Sequence, residues 1–507
     1  AASIITVKMA LHRQAVSPML IFSTGLLIIS AFNYGFSDQA FASCQAMDSF
    51  TRQFGVYHAA THTWKLQPLF KSLYNSVKAG GQLIGVFLGS YVSNTYGRRM
   101  CIFVMSVYAL GSTAVVVSSQ TVAQIQAGRA LHYPLKDIYL GMEMAVIPTT
   151  LTELAPARVR GGMGVLYWLS IKVGGLVVTS ITRGTSRIDS NAAWRIPFGL
   201  ILVIPFIVLC LIWLTPESPR WFLLRDRQPE ALDALIRLKP KTASSEEIRT
   251  EFEIMSGKVS RQLQKKRVSD LFAPQNRQRT FVVAAANFFQ QATGQAFSSQ
   301  YGTVFVKQLK SINPFSVTLG TNAVDIGAIC ISGLTIDRLG RRMLFHLSSC
   351  LQTAFLMTMG ALGTAGASNV DAKKGIVAML VLYSFSWSLG WAPLVYVLGA
   401  ELPSSPLREM TLQIAYTVKL LTEFAVTFSY PYMETADSPG HVDLGGKLGF
   451  IYGSLSAVAI LFGFFFIPET SRLELEDIDK KFAPVIDGEP KMLEECGERT
   501  NVTETTK

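Results

Sequence analysis

The sequence predicts an all-α polytopic membrane protein, with twelve transmembrane helices in two six-helix halves. Three observations predict it. About twelve apolar blocks of about 20 residues can be marked, each long enough to cross a hydrocarbon core of about 30 Å. Charged residues make up only 16% of 507 residues, against a usual share of roughly 25%. Three short motifs each occur twice, in the same order. A mean hydropathy of +0.31 and 49% hydrophobic residues exclude a disordered chain, an acidic scaffold and a coiled coil.

The expected spans are 18–36, 73–93, 101–120, 124–151, 162–183, 196–214, 280–306, 315–336, 343–363, 375–399, 411–433 and 447–467. Residues 1–215 form the first half and 280–467 the second. Between them, 216–279 is polar and charged, with amphipathic helical patterning over Pro229–Leu238 and Ser245–Lys266 that suits the membrane surface. Residues 468–507 form a tail. Pro134 is expected to break or kink the fourth span, because proline lacks the helical N–H.

The net charge of +11 is not a nucleic-acid footprint, and no nucleic-acid partner is expected. Its basic residues concentrate in the middle segment and at the Arg98-Arg99 and Arg341-Arg342 turns. The positive-inside rule makes that side cytoplasmic, with both termini inside and residues 37–72 outside. The sequon at Asn501 then falls in the cytoplasmic tail and stays unmodified. The first apolar block is too long for a cleavable signal peptide. The six scattered cysteines show no metal-ligand or redox spacing, so no metal and no cofactor are expected.

The repeat is the most informative pattern. Gly97-Arg98-Arg99 follows the second span and Gly340-Arg341-Arg342 the eighth. Glu153-Leu154-Ala155-Pro156 with Arg160 follows the fourth, and Glu401-Leu402-Pro403 with Arg408 the tenth. Pro216-Glu217-Ser218 closes the sixth and Pro468-Glu469-Thr470 the twelfth. Such duplication is common in transporters that hold their substrate between two halves.

With Asp337-Arg338-Leu339-Gly340-Arg341-Arg342, Pro216-Glu217-Ser218-Pro219-Arg220-Trp221 and Gln290-Gln291-Ala292-Thr293-Gly294, followed by Tyr301, the chain resembles the sugar porters of the major facilitator superfamily. The wording at 45–50 and 291–297 is similar to a fungal hexose-transporter branch. The resemblance implies the major facilitator fold and a carrier, not an enzyme. It also implies a small-molecule sugar partner with protons as a candidate co-substrate, a bilayer environment at the plasma membrane, and a monomer.

The resemblance makes Gln290 and Gln291 sugar ligands, and amides in an apolar helix suit vicinal hydroxyls. The alternative is glue between helices. Tyr301 belongs to the same motif. Trp391 offers an indole face for a sugar ring or serves as a belt aromatic. Trp168 stands where the family has an amide, with one donor only. Ala296 replaces an asparagine ligand.

Intramembrane ionisable groups suggest function, and Asp38, Arg129, Glu143, Lys172, Asp325 and Glu423 are such groups. Proton-coupled relatives pair an aspartate in span one with an arginine in span four. Arg129 matches the arginine. Ser37 takes the aspartate's place, and Asp38 lies about 100° further round the helix. Asp38, Arg129 and Glu143 are the relay candidates. Lys172 is expected to pair with Glu143, Asp325 or an anionic substrate.

Arg98, Arg99, Glu153, Arg160, Glu217, Arg341, Arg342, Glu401, Arg408 and Glu469 form an expected cytoplasmic latch that closes the inner face. Asn94 and Thr95 blunt the first copy of its loop motif.

The leading function is alternating-access transport of a hexose-like monosaccharide, facilitated or proton-coupled. The alternatives are a carrier or exporter of another polyol, acidic sugar or secondary metabolite, and a non-transporting sugar sensor.

Overall fold

A computed structural model describes residues 17–58, 62–66, 68–118, 122–154, 160–240, 243–262, 268–274, 276–309, 311–365, 369–404, 407–434 and 444–469. In the first half, α1 (Pro18–Cys44) leads to a short α2 (Asp48–Phe54) and a hairpin of β1 (Val56–His58) and β2 (Thr63–Lys65). Then come α3 (Pro68–Tyr96), α4 (Arg98–Ser118), α5 (Val122–Leu154), α6 (Arg160–Thr185) and the paired α7 (Ala192–Leu200) and α8 (Val203–Leu211). The linker carries α9 (Pro219–Leu224), α10 (Gln228–Leu238) and α11 (Ser245–Gln262), as its amphipathic pattern predicts. In the second half, the broken span α12 (Arg277–Ala292) and α13 (Gln295–Leu309) precedes α14 (Pro314–Leu339) and α15 (Arg341–Leu362). Another broken span, α16 (Val370–Leu389) and α17 (Trp391–Glu401), is followed by α18 (Arg408–Glu434) and α19 (Leu448–Phe466).

Seven helical segments among the described residues are long and apolar enough to cross a membrane on composition alone. The remaining spans include helices that bury polar groups, such as Lys78 and Gln82 on α3 and Lys419 and Glu423 on α18. Hydropathy reads these as weak because their polar side chains face protein rather than lipid.

The boundaries correct two expectations. The first span runs on to Cys44, so Asp38 lies inside it and the connecting segment starts at Gln45. The fourth span is helical from Val122 to Leu154, 33 residues, so Pro134 does not break it. A spanning helix tolerates a proline where neighbouring helices, side chains or local backbone adjustment satisfy the carbonyl it leaves free.

Each half has its own apolar core. One gathers Leu27, Met105, Leu140, Ile147 and Tyr167, the other Val283, Phe345, Trp391, Leu398 and Phe462. The halves meet along two seams, α3 against α18 and α6 against α14, and α13 also leans on α1. Trp168 packs on both cores and so marks the centre of the molecule. The chain therefore has a hairpin end, carrying α2 and the β-hairpin, and a linker end, carrying α9–α11.

Candidate functional site: a cleft between two repeated halves

At the linker end, the repeated motifs build the same staple twice. The Glu217 carboxylate accepts the backbone N–H groups of Arg98 (2.9 Å) and Arg99 (3.0 Å), which open α4. Glu469 accepts those of Arg341 and Arg342 at the start of α15, both at 3.0 Å. A carboxylate at a helix N-terminus satisfies orphan donors and complements the dipole. Burial pushes the Glu217 carboxyl up, and the backbone donors pull it back. The motif glycines follow from this contact. Gly97 and Gly340 have φ of +101° and +87°, and an added Cβ would lie 2.5 Å and 2.7 Å from the Glu217 and Glu469 oxygens.

The arginines repeat as well. Arg98 donates from Nε and Nη2 to both oxygens of Glu153, at 3.0 and 2.9 Å, while Arg341 Nη2 donates to Glu401 at 3.3 Å. Arg99 donates to the Trp213 carbonyl and Arg342 to that of Phe464. The contacts described for eight of the ten latch residues, Arg98, Arg99, Glu153, Glu217, Arg341, Arg342, Glu401 and Glu469, each lie inside one half. Arg408 opens α18, and the Arg160 side chain lies outside the described residues. A bond that does cross the halves comes from an unexpected residue. Asn94, where the second copy has Asp337, donates to Glu409 at 2.7 Å and accepts from Arg98. An aspartate there would face Glu409 as a like charge.

The hairpin end is closed by side chains bridging the halves. Gln45 donates to the Gln300 carbonyl at 3.0 Å, Ser72 to that of Phe428 at 3.0 Å, and Lys307 to Ala46 and Asp48. Tyr301, expected at the sugar site, instead donates its hydroxyl towards the carbonyls of Lys71 on α3 and Thr427 on α18. Lys78 pairs with Asp38 on its own half and with Glu423 of the other at 3.5 Å. Gln300 also reaches both Asp38 oxygens. Asp38 therefore faces the inter-half seam and has a lysine partner. The side chain of Arg129, its expected partner, lies outside the described residues.

Lys172 takes Asp325, one of its three expected partners, at 2.6 Å across the α6–α14 seam. Ser384 donates to the other Asp325 oxygen at 2.8 Å. Glu143 is buried within the first half, accepting from Ser30 of α1 at 2.7 Å.

Between the seams lies an aromatic cluster. The Trp168 ring centroid is 5.2 Å from Tyr396 and 6.3 Å from Trp387, and Tyr396 lies 6.2 Å from Tyr416. Trp168, Tyr396 and Tyr416 are partly exposed, so the cluster borders a cleft. Trp387 donates its indole N–H to the backbone of Gln290 at 3.3 Å. The Gln290 amide donates to the Trp391 carbonyl at 3.3 Å, while its Oε1 is buried without a partner. The Gln291 side chain makes no hydrogen bond among the described residues, while its backbone carbonyl accepts from the Gly294 N–H at 3.1 Å. Trp391 is wholly buried, its N–H given to Ser349 at 3.1 Å and its ring 4.6 Å from Phe345. It supports the second-half core and shows no open face. The tyrosine one turn later, Tyr396, borders the cleft instead. Sequence reading missed it because Trp391 carried the more conspicuous ring.

Two repeated helix bundles, stapled individually and parted by a polar-aromatic cleft, define a multi-pass membrane carrier. Residues 24–482 match the family described as "Sugar (and other) transporter", and the chain belongs to that family, within the major facilitator superfamily. It is 25% identical over 92% of its length to the probable glucose transporter rco-3 of Neurospora crassa, covering 79% of that protein. It is 26% identical to the hexose transporter HXT13 of Saccharomyces cerevisiae, covering 85% of this chain and 77% of that one. Among solved structures, a double-tryptophan variant of XylE shares the fold with a TM-score of 0.76, at 19% identity over 92% of this chain and 100% of that one.

Proposed function

We propose that the protein carries a hexose-like monosaccharide across the membrane by alternating access. The observation that carries this reading is the cleft itself. Gln290 holds a buried, unpartnered acceptor beside Trp387, and Trp168 and Tyr396 bring one aromatic group from each half together next to it. Amides bind hydroxyls through directional donor and acceptor pairs, and aromatic faces cover the apolar faces of a ring. The relatives named as glucose and hexose transporters support the substrate class.

In this reading the hairpin end faces outside and is shut, and the linker end and both termini face the cytoplasm, in the plasma membrane. The halves span 1–215 and 280–467, joined by 216–279 and followed by 468–507. They rock as stapled units, with bending taken up where α12 meets α13 and α16 meets α17. The carrier works as a monomer, and transport is facilitated. Ser37 cannot exchange a proton near neutral pH, and the Asp38 carboxylate is occupied by Lys78.

The test is exchange of labelled glucose in proteoliposomes loaded with a pH dye. Counterflow without internal acidification is expected, with Gln290→Ala and Gln291→Ala weakening binding by about 1–3 kcal/mol. Wild-type affinity in both variants would remove the ligand assignment. Acidification that Asp38→Asn abolishes while counterflow persists would make Asp38 a proton site.

A further inference from the structure

The two arginines of each repeated Gly-Arg-Arg motif act differently. The first, Arg98 or Arg341, turns inward and donates to a carboxylate, Glu153 or Glu401. The second lies on an aromatic ring. The Arg99 guanidinium carbon is 5.3 Å from the centre of the Trp213 ring, and that of Arg342 is 5.5 Å from Phe464. Each donates one Nη2–H to the carbonyl of the same aromatic residue, at 3.0 and 2.6 Å. Glu217 and Glu469 are turned to the backbone N–H groups of these motifs, and neither guanidinium has a carboxylate partner among the described residues. The Arg99 Nε–H is buried without a partner.

The two rings belong to the outer surface. Trp213 and Phe464 are 51% and 59% exposed. The first sits just past α8, which packs on α4, and the second on α19, which packs on α15. Those helix pairs expose apolar side chains, Met100 and Val107 on α4 and Phe206 on α8, then Met343 and Leu347 on α15 and Leu461 on α19. On bilayer-spanning helices such faces meet lipid. Arg99 and Arg342 stand in the first turn of α4 and α15, at the linker end, where a spanning helix reaches the headgroup layer. One turn on, Phe103 lies 5.2 Å from Trp213, and His346 lies 6.3 Å from Phe464 with its Nε2 buried without a partner.

We propose that Arg99 with Trp213, and Arg342 with Phe464, form two repeat-related docking sites for the headgroup of an anionic phospholipid. The remaining guanidinium N–H groups take the phosphate, whose oxygens match a planar fork of donors. The ring beneath holds the guanidinium in place and leaves its outer edge to the lipid. A guanidinium without a carboxylate favours a headgroup of net charge −1 over a zwitterionic one, whose ammonium it repels. The cytoplasmic leaflet, which the reading above assigns to the linker end, is rich in anionic lipid. Each site lies inside one half, so a bound lipid moves with its own half and does not tie the two together. The proposal goes beyond the carrier reading and stands without it, because lipid retention requires no transport.

Phosphatidylglycerol and phosphatidylcholine with identical acyl chains differ in net charge, −1 against 0, and so isolate the headgroup. Native mass spectrometry of the purified full chain, titrated with each lipid, counts the molecules retained. The wild type should retain two phosphatidylglycerols, each about fivefold more tightly than phosphatidylcholine, the range for one basic residue at an anionic membrane surface. Arg99→Gln and Arg342→Gln should each remove one of them, and the double variant should show no preference. Arg249→Gln, on the exposed linker helix α11, should change nothing. Equal retention of the two lipids by the wild type overturns the proposal. A preference that survives the double variant overturns it too. An equal loss in Arg249→Gln would reveal a general attraction to basic surface and also overturns it. If the double variant does not fold, the single variants decide, each by the loss of one lipid or its retention.

Discussion

Replacing Glu423 by glutamine isolates the charged arm that links the halves at the hairpin end. Lys78 holds two carboxylates, Asp38 within its own half and Glu423 across the seam at 3.5 Å. Glu423→Gln removes the crossing arm and leaves the Lys78–Asp38 pair satisfied. At an effective dielectric of about 20, two charges at that separation attract by about 5 kcal/mol. Parting the halves lets water back onto Glu423 and Lys78, which returns much of that energy. A net bias of about 1–2 kcal/mol remains, close to a tenfold change in the ratio of closed to open. The readout is a cysteine at Asn322, a buried α14 residue facing Gly175 of the other half. In a background freed of native cysteines, a membrane-impermeant maleimide should label it about ten times faster in Glu423→Gln. Asp38→Asn, which keeps the crossing arm, should label no faster than the parent. Equal rates in the parent and Glu423→Gln, with the protein inserted and monodisperse, would refute this account of the gate.

Three further outcomes follow from the linker end. Arg98→Ala strands the buried Glu153 carboxylate and should cost about 3–5 kcal/mol, seen as lost folded protein in detergent; adding Glu153→Gln should recover much of the yield, and no recovery would deny the pairing. Gly340→Ala forces a left-handed backbone and a Cβ against Glu469, so the melting temperature should fall by a few degrees for a cost of about 1–2 kcal/mol; an unchanged melting curve would contradict the staple. Asn94→Asp sets a carboxylate against the exposed Glu409, so linker-side labelling of a cleft cysteine should rise a few-fold, in line with about 1 kcal/mol at the surface; adding Glu409→Gln should reverse the rise, and a failure to reverse it would show that Glu409 is not involved.

The helical count, the two halves and the amphipathic linker were legible because each leaves a pattern in one stretch of chain. The Glu217 and Glu469 staples were legible through duplication, which singled out the glycines, arginines and glutamates before any contact was known. Direction was harder. Whether Asp38 faces the seam depends on how α1 is rotated against α3 and α13, which are distant in sequence. Trp391 and Tyr396 lie within a turn or so of each other, and only packing against Phe345 and Trp168 separates a core ring from a cleft ring. Asn94 looked like decay of a motif, because its partner Glu409 belongs to the other half.

The paired staples also have a consequence for synthesis. Every group in the first staple has left the ribosome by Ser218, whose hydroxyl donates to Glu153 at 2.7 Å and whose backbone N–H donates to Glu217. The first bundle can therefore lock before any of α12 is made. The second bundle waits for Glu469, which is translated after its last helix. Until Glu469 is made, the two N–H groups that open α15 lack the carboxylate that later accepts them, so the second bundle is the last to be capped.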